Sequence, residues 1–347
     1  MTTTPPEQRL VSPAPEPGRN RNTVYHGALA LPDPSRVYAA LELARRTVQA
    51  APRPGAPGIH VFGAHRGDLH VRFLPASPDE HLVIGRHEEC DLRLRADPAV
   101  SLRHLVARAI RLEDGTAALR LIDLATPLPF FLPEGRAQRA LVASGPFAVA
   151  LGDYVVGGIP DEVERYDTRG GPYRAPALVE SAQRVPRRAL VGPGGARRSR
   201  ITLLPHSRLI THVPAWPATG GAAVVVPPDP AARVTLRRGT AASSIALDEG
   251  ALARGVLIGR APRCLDRGLR TVLSTSISRV HLLLLREDDG ATDVAIDLAS
   301  TQGTYAAGAR LRGARLRGAS CRLTLGYVDP VRLTFDRRGE RPRPPGT

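Results

Sequence analysis

Two sets of chemically suggestive residues recur in this sequence in the same order. Ile84-Gly85-Arg86 is followed by Cys90, Ser101, His104 and Asp123-Leu124-Ala125-Thr126, and Ile258-Gly259-Arg260 by Cys264, Ser278, His281 and Asp297-Leu298-Ala299-Ser300. In the second set Arg279 follows Ser278, and Thr301, Gln302, Gly303 and Thr304 complete a polar loop. A guanidinium presents a planar fork of donors that matches phosphate oxygens. Hydroxyls and an amide add uncharged hydrogen-bonding groups. If the loops that carry them meet at one end of the fold, the set suits a phosphate ester, a doubly charged group with three acceptor oxygens. Each Arg–phosphate hydrogen bond would contribute on the order of 1.5–3 kcal/mol. Neither a carboxylate cluster for a metal nor a nucleophile with a partnered base accompanies the set, so it reads as binding chemistry and not as a kinase or phosphatase centre.

Each short motif has an ordinary structural explanation. Gly-Arg after a strand is usually a solvated turn, a His opening a strand usually a structural hydrogen-bonding residue, and a lone Cys a small buried hydrophobe. Four landmarks in one order, in two copies, are a different matter and indicate an internal duplication. The Arg-to-Ser spacing is 15 residues in the first copy and 18 in the second, a difference that a surface loop tolerates.

The elements that must position these residues are short strands. His70–Leu74, His81–Ile84, Leu105–Ile110, Ala118–Ile122 and Tyr154–Val156 are apolar runs separated by turn signals. The pattern returns at Val234–Leu236, Ser244–Leu247, Val256–Ile258, His281–Leu285, Val294–Ile296 and Val331–Phe335. Such spacing predicts an all-β chain of two antiparallel β-sandwiches. A short helix precedes them: Asp33 is placed to cap it, Pro34 suits its first turn, and Val37, Leu41, Ala44 and Val48 share a face that packs on the next domain or docks a partner. Pro52 and Pro54 end it. The expected organisation is a disordered tail and helix over 1–56, a first sandwich over 57–160, a basic Arg/Pro/Gly-rich linker over 161–231, a second sandwich over 232–338, and a flexible tail over 339–347. Ile201–Leu204 and Ala223–Val226 are candidate added strands within the linker.

Composition removes several function classes. The net charge is +15 over 347 residues, and all 48 basic residues other than His are Arg. Without Lys, a P-loop ATPase, a protein kinase and a pyridoxal enzyme each lack their central residue. A GC-rich genome accounts for the bias, yet an Arg-rich surface still attracts acidic partners. Three cysteines with no C-x-x-C pair argue against a disulfide framework or a zinc site. No apolar run reaches the roughly 18 residues of a membrane span, and the first residues show no signal-peptide core, so a cytoplasmic location is expected.

Gly-Arg, Ser-x-x-His and Asp-Leu-x-Ser followed by Gly-Thr resemble the forkhead-associated (FHA) domain, over about residues 60–158 and 232–337. The resemblance implies two packed antiparallel sheets of about eleven strands that recognise phosphothreonine through loops at one end. Carried over, it implies that Arg260, Ser278 and Arg279 contact the phosphate. Thr301 and Gln302 would lie by the peptide, and His281 would support the loops. The family usually has Asn where Gln302 stands, and a second Asn where Ala307 precedes Gly308. The first copy departs further. Arg86, Ser101 and the loop-supporting His104 are present, but Leu102 replaces the polar neighbour, and Thr126-Pro127-Leu128-Pro129-Phe130-Phe131 contains neither Asn nor Gly-Thr. This copy reads as a scaffold or as a reader of another ligand.

The sequence therefore points to a phosphothreonine-dependent adaptor, not an enzyme, with no cofactor and no metal. Its partners would be a phosphothreonine-containing protein and a Ser/Thr kinase or its substrate. The alternative is a phosphate-independent scaffold of a multiprotein assembly. A membrane is not expected as a partner. Nor is nucleic acid, because the Arg-rich linker lacks the aromatics that stack on bases. Phosphorylation of Thr2, Thr3 or Thr4 could fold the N-terminal tail onto the second module.

Overall fold

An aspartate opens the first helix. The computed structural model describes residues 33–52, 54–77, 79–111, 117–161, 208–210, 230–264, 267–287 and 290–337. Thr2–Thr4, the candidate strands at 201–204 and 223–226, nearly all of the Arg-rich linker and the C-terminal tail lie outside the described residues. Asp33 accepts from the Ser35 backbone N–H at 2.9 Å and caps α1 (Pro34–Ala50). Val37, Leu41 and Ala44 are buried in the first core, so the helix lies on the first sandwich.

That sandwich comprises β1 (Gly58–His65), β2 (Asp68–Pro75), β3 (Leu82–Gly85), β4 (Leu92–Arg93), β5 (Leu105–Arg111), β6 (Ala117–Asp123), β7 (Phe130–Phe131), β8 (Ala137–Gln138), β9 (Ala140–Ser144), β10 (Phe147–Leu151) and β11 (Tyr154–Pro160). One sheet has the order β2-β1-β11-β10-β7-β8. The other has β9-β6-β5-β3-β4 and is extended at β9 by β12 (Arg208–Ile210). The pairings are antiparallel except for the short β3–β4 pair.

The second sandwich comprises β13 (Ala232–Arg238), β14 (Ala241–Leu247), β15 (Val256–Ile258), β16 (Leu282–Arg286), β17 (Asp293–Asp297), β18 (Thr304–Ala306), β19 (Ala309–Leu311), β20 (Gly313–Leu316), β21 (Ser320–Leu325) and β22 (Val331–Arg337). Its sheets run β14-β13-β22-β21-β18-β19 and β15-β16-β17-β20. Apart from β4 and β12, which have no counterpart here, this is the order of the first sandwich. Two six-residue helices were not foreseen: α2 (Glu249–Arg254), capped by Asp248, and α3 (Arg267–Val272), which lies within the longer Arg-to-Ser spacing of this copy. Leu269 and Val272 bury α3 in the second core.

Burial patterns show what covers each sheet. β13 and β22 alternate between buried and exposed positions, as strands with one wet face do. Their counterparts β1 and β11 are buried almost throughout, and α1 packs against β10 and β11. β16 is also buried throughout. Leu282 and Leu284 enter its own core, whereas Leu283 and Leu285 join Val83, Val106, Ile122 and Leu124 of the first sandwich in a shared cluster. The two sandwiches thus meet through the outer faces of β3-β5-β6 and β15-β16-β17. Ion pairs cross the same boundary, with Arg108 to Glu287 at 2.7 Å and Arg312 to Asp91 at 2.6 Å. Side chains as large as Leu or Val each contribute about 1.5–3 kcal/mol when fully buried, so this apolar contact is a substantial part of what holds the sandwiches together.

Candidate functional site

Strand β15 ends against the loop before β16, and that close approach explains the Gly-Arg pair. A Cβ on Gly259 would lie 2.4 Å from the Arg279 carbonyl oxygen, and one on Gly85 would lie 2.4 Å from that of Leu102. With glycine there, Ala261 N–H donates to the Arg279 carbonyl at 2.7 Å and Arg260 N–H to that of Ser278 at 3.4 Å. The Arg260 side chain runs along the same loop, its Nε donating to the Ile277 carbonyl at 2.5 Å. Arg260 is exposed, and its two terminal nitrogens make no hydrogen bond among the described residues. The guanidinium is thereby fixed at one nitrogen and open at the other two.

Ser278 is buried at 8% exposure. Its hydroxyl oxygen accepts from the Thr301 backbone N–H at 3.2 Å, which joins the second and third loops. Its backbone N–H donates to His281 Nδ1 at 3.2 Å. With Nδ1 accepting, Nε2 carries the proton and donates to the Gly303 carbonyl at 3.1 Å. Burial pushes the His281 pKa down, favouring the neutral ring that this pattern needs. The third loop is held from below by Asp297. One carboxylate oxygen accepts from Ser300 N–H at 2.8 Å, and the other from the Ser300 and Thr304 hydroxyls, each at 2.6 Å.

The structure therefore brings Arg260, Ser278 and Thr301 together at one tip, with His281 beneath them. Arg279 sits on the same loop with an exposed side chain that has no partner among the described residues. Gln302 is half-buried, and its amide oxygen is buried without a hydrogen bond among the described residues. Neither His281 nitrogen faces the Ser278 hydroxyl, so His281 is not a base for that serine. Among the described residues, no three His, Cys, Asp or Glu side chains are grouped to hold a metal ion, and no helix is long and apolar enough to cross a membrane.

Three contributors escaped the sequence reading. Arg310 of β19 donates to the Ser300 carbonyl at 3.1 Å and adds a third exposed guanidinium to the tip. Its register opposite Tyr305 puts it there, and no local motif signals this. Tyr327 and Val328 stand exposed in the turn after β21. That turn is tied to the Ser278 loop by the Ser276 hydroxyl, which donates to the Val328 carbonyl at 2.7 Å. The third is Arg103, from the first sandwich, which donates to the carbonyls of Leu298 and Ala299.

The first tip has the same scaffold and a different surface. Arg86 Nε donates to the Val100 carbonyl, and Ser101 N–H to His104 Nδ1 at 2.9 Å. His104 Nε2 lies 2.8 Å from the Leu128 carbonyl, which takes the place of Gly303, and burial pushes its pKa down to about 3. Ser101 receives no hydrogen bond from the third loop. Instead the Thr126 hydroxyl lies 2.7 Å from His104 Nε2, and Leu128 turns inward. Leu102 stands 43% exposed where the second copy has Arg279.

No family model matches the sequence, and no curated protein matches it. Among solved structures, the chain is similar to FHA domains. FHA-1 of Mycobacterium tuberculosis Rv1747 matches at 19% identity and a TM-score of 0.24, over 30% of this chain and 97% of that one. The FHA domain of Chlamydia trachomatis CT664 matches at 17% identity and a TM-score of 0.23, over 29% and 96%. The yeast Dun1 FHA domain, solved with a doubly phosphorylated (pT) peptide derived from Rad53, matches at 14% identity and a TM-score of 0.27, over 38% and 95%.

Proposed function

We propose that this chain is a phosphothreonine-dependent protein-binding adaptor whose reader is the tip of the second sandwich. The observation that carries the reading is the joint placement of Arg260 and Ser278. The guanidinium is pinned through Nε alone, and the hydroxyl is held by the Thr301 N–H with its own proton free to donate. Arg279 and Arg310 add positive charge to the loops around them, so a doubly charged phosphate meets a field of one sign. The partner is a phosphothreonine-containing protein in Ser/Thr-kinase signalling or complex assembly. The reading gives the second sandwich the same class of ligand that the Dun1 domain holds in its complex.

The test is a fluorescence-anisotropy screen of the full chain against a phosphothreonine peptide library and its unmodified twins. The reading expects binding to a subset of phosphopeptides and none to their twins. Equal binding of both members of each pair would overturn it.

A phosphate-independent scaffold is the second reading. It is favoured by the buried amide oxygen of Gln302 and by the apolar first tip with Leu102 exposed. A partner that stays bound after phosphatase treatment would support it over the first.

A further inference from the structure

We infer that Arg103, on the first sandwich, is a positioning residue for the ligand loops of the second, so that the first sandwich is a working part of the reader. This rests on the reading of the second tip as the ligand site.

The two copies anchor their third loop differently. In the first, the buried Asp123 is met by Arg139 of the same sandwich at 3.0 Å, and Arg139 also donates to the Thr126 carbonyl at 2.5 Å. The residue that corresponds to Arg139 in the second copy is Arg312, since each lends its carbonyl to the backbone N–H of the aspartate, Asp123 or Asp297, at 2.7 Å. Arg312 does not turn to Asp297. It crosses to the first sandwich and pairs with Asp91 at 2.6 Å. In the second loop Arg310 meets the Ser300 carbonyl at 3.1 Å, but no arginine takes the place of Arg139 on the aspartate among the described residues.

Arg103 adds a hold on this loop from across the boundary. It is buried at 5% exposure and spans the carbonyls of Leu298 and Ala299, with its Nε 3.2 Å from that of Ala299. These are the two residues before Ser300-Thr301-Gln302. Its own backbone carbonyl accepts from Arg263 at 3.2 Å, on the loop that begins with Arg260. One residue of the first sandwich therefore touches the loop that begins with Arg260 and the loop that bears Thr301. Two positions after Ser278, where the second copy would place its counterpart of Arg103, stands the apolar Val280, buried in the shared cluster. A buried guanidinium that loses its acceptors, or acceptors that lose it, must rearrange, so the contact constrains the loop and does not merely decorate it.

The test uses the full chain with Arg103→Met, Arg103→Lys and, as a control at the same boundary, Glu287→Gln, which weakens the Arg108 ion pair away from the loops. Three readouts are taken: affinity for a phosphothreonine peptide selected on the wild type, hydrogen exchange at the amides of residues 300–304, and Tm. The inference expects Arg103→Met to lose at least tenfold in affinity and to exchange faster at 300–304. Arg103→Lys should recover part of both, and Glu287→Gln should lower Tm with affinity within twofold. Arg103→Met or Arg103→Lys binding within twofold of the wild type, with unchanged exchange, would overturn it. Should Arg103→Met not fold, Arg103→Lys decides the matter on the same readouts. If the wild type binds no phosphopeptide, the functional reading fails by itself. Loop exchange then still judges the positioning role, faster exchange supporting it and unchanged exchange overturning it.

Discussion

Replacing Gly259 with Ala should damage both stability and ligand binding, and Gly85→Ala should damage stability. In each case the new Cβ would sit 2.4 Å from a backbone carbonyl oxygen, about 1 Å inside ordinary van der Waals separation. No flexible side chain can yield, because the obstacle is the main chain. The loop must move back, and in the second copy that breaks the bond from Ala261 N–H to the Arg279 carbonyl and the longer one from Arg260 N–H to that of Ser278. Overpacking of this kind costs about 1–3 kcal/mol, and each lost backbone hydrogen bond about 0.5–1.5 kcal/mol. A net loss of about 2–4 kcal/mol is expected for either variant, from urea unfolding followed by circular dichroism. The same displacement moves Arg260 relative to Ser278, so Gly259→Ala should also weaken phosphothreonine-peptide binding by tenfold or more, measured where the variant remains folded. The reasoning fails if Gly259→Ala is as stable as the wild type, or if it loses stability and keeps full affinity.

Acid should destabilise the fold through its buried histidines. Burial pushes His81 down to about 4, His104 down to about 3, and His281 downward. The unfolded rings take up protons below about pH 6.5 while the folded ones resist, so stability should fall between about pH 6.5 and 4 by up to about 1.4 kcal/mol per pH unit for each His. Asp123, raised by burial to about 6, works the other way between about pH 4 and 6 and offsets part of the fall. A pH series of urea melts with no loss down to pH 4 would contradict this. Thiol labelling should discriminate among the cysteines. Burial pushes Cys90 and Cys264 up to about 12, whereas Cys321 is half-buried. Iodoacetamide at pH 8 should modify Cys321 alone in the folded chain and all three in urea, as read by mass spectrometry.

Much of the fold was legible because its signals are local. Asp33-Pro34 marks a capped helix start, and the ordered landmarks mark a duplication that the matching sheet orders display. The run Leu282–Leu285 signals a strand buried on both faces, but nothing within it says that a second sandwich covers the far face. α2 and α3 escaped because six residues are too few to show a helical period. At the site, Arg260, Ser278 and Thr301 could be read from their spacing, since the loops that carry them flank recognisable strands. Arg310 and Arg103 could not. The first depends on a hairpin register, and the second on a contact between elements 195 residues apart in the chain. The burial of the Gln302 amide oxygen is likewise a matter of packing and not of residue type.

The most direct measurement is calorimetric titration of the full chain with one phosphothreonine peptide chosen from the library screen, alongside Arg260→Ala and Ser278→Ala. With two guanidinium nitrogens of Arg260 free for the phosphate, at about 1.5–3 kcal/mol per charged hydrogen bond, Arg260→Ala should lose a hundredfold or more, and Ser278→Ala about tenfold, with Tm little changed for Arg260→Ala. Undiminished heat and affinity in Arg260→Ala would show that the phosphate is held elsewhere, or that the interaction does not depend on phosphate.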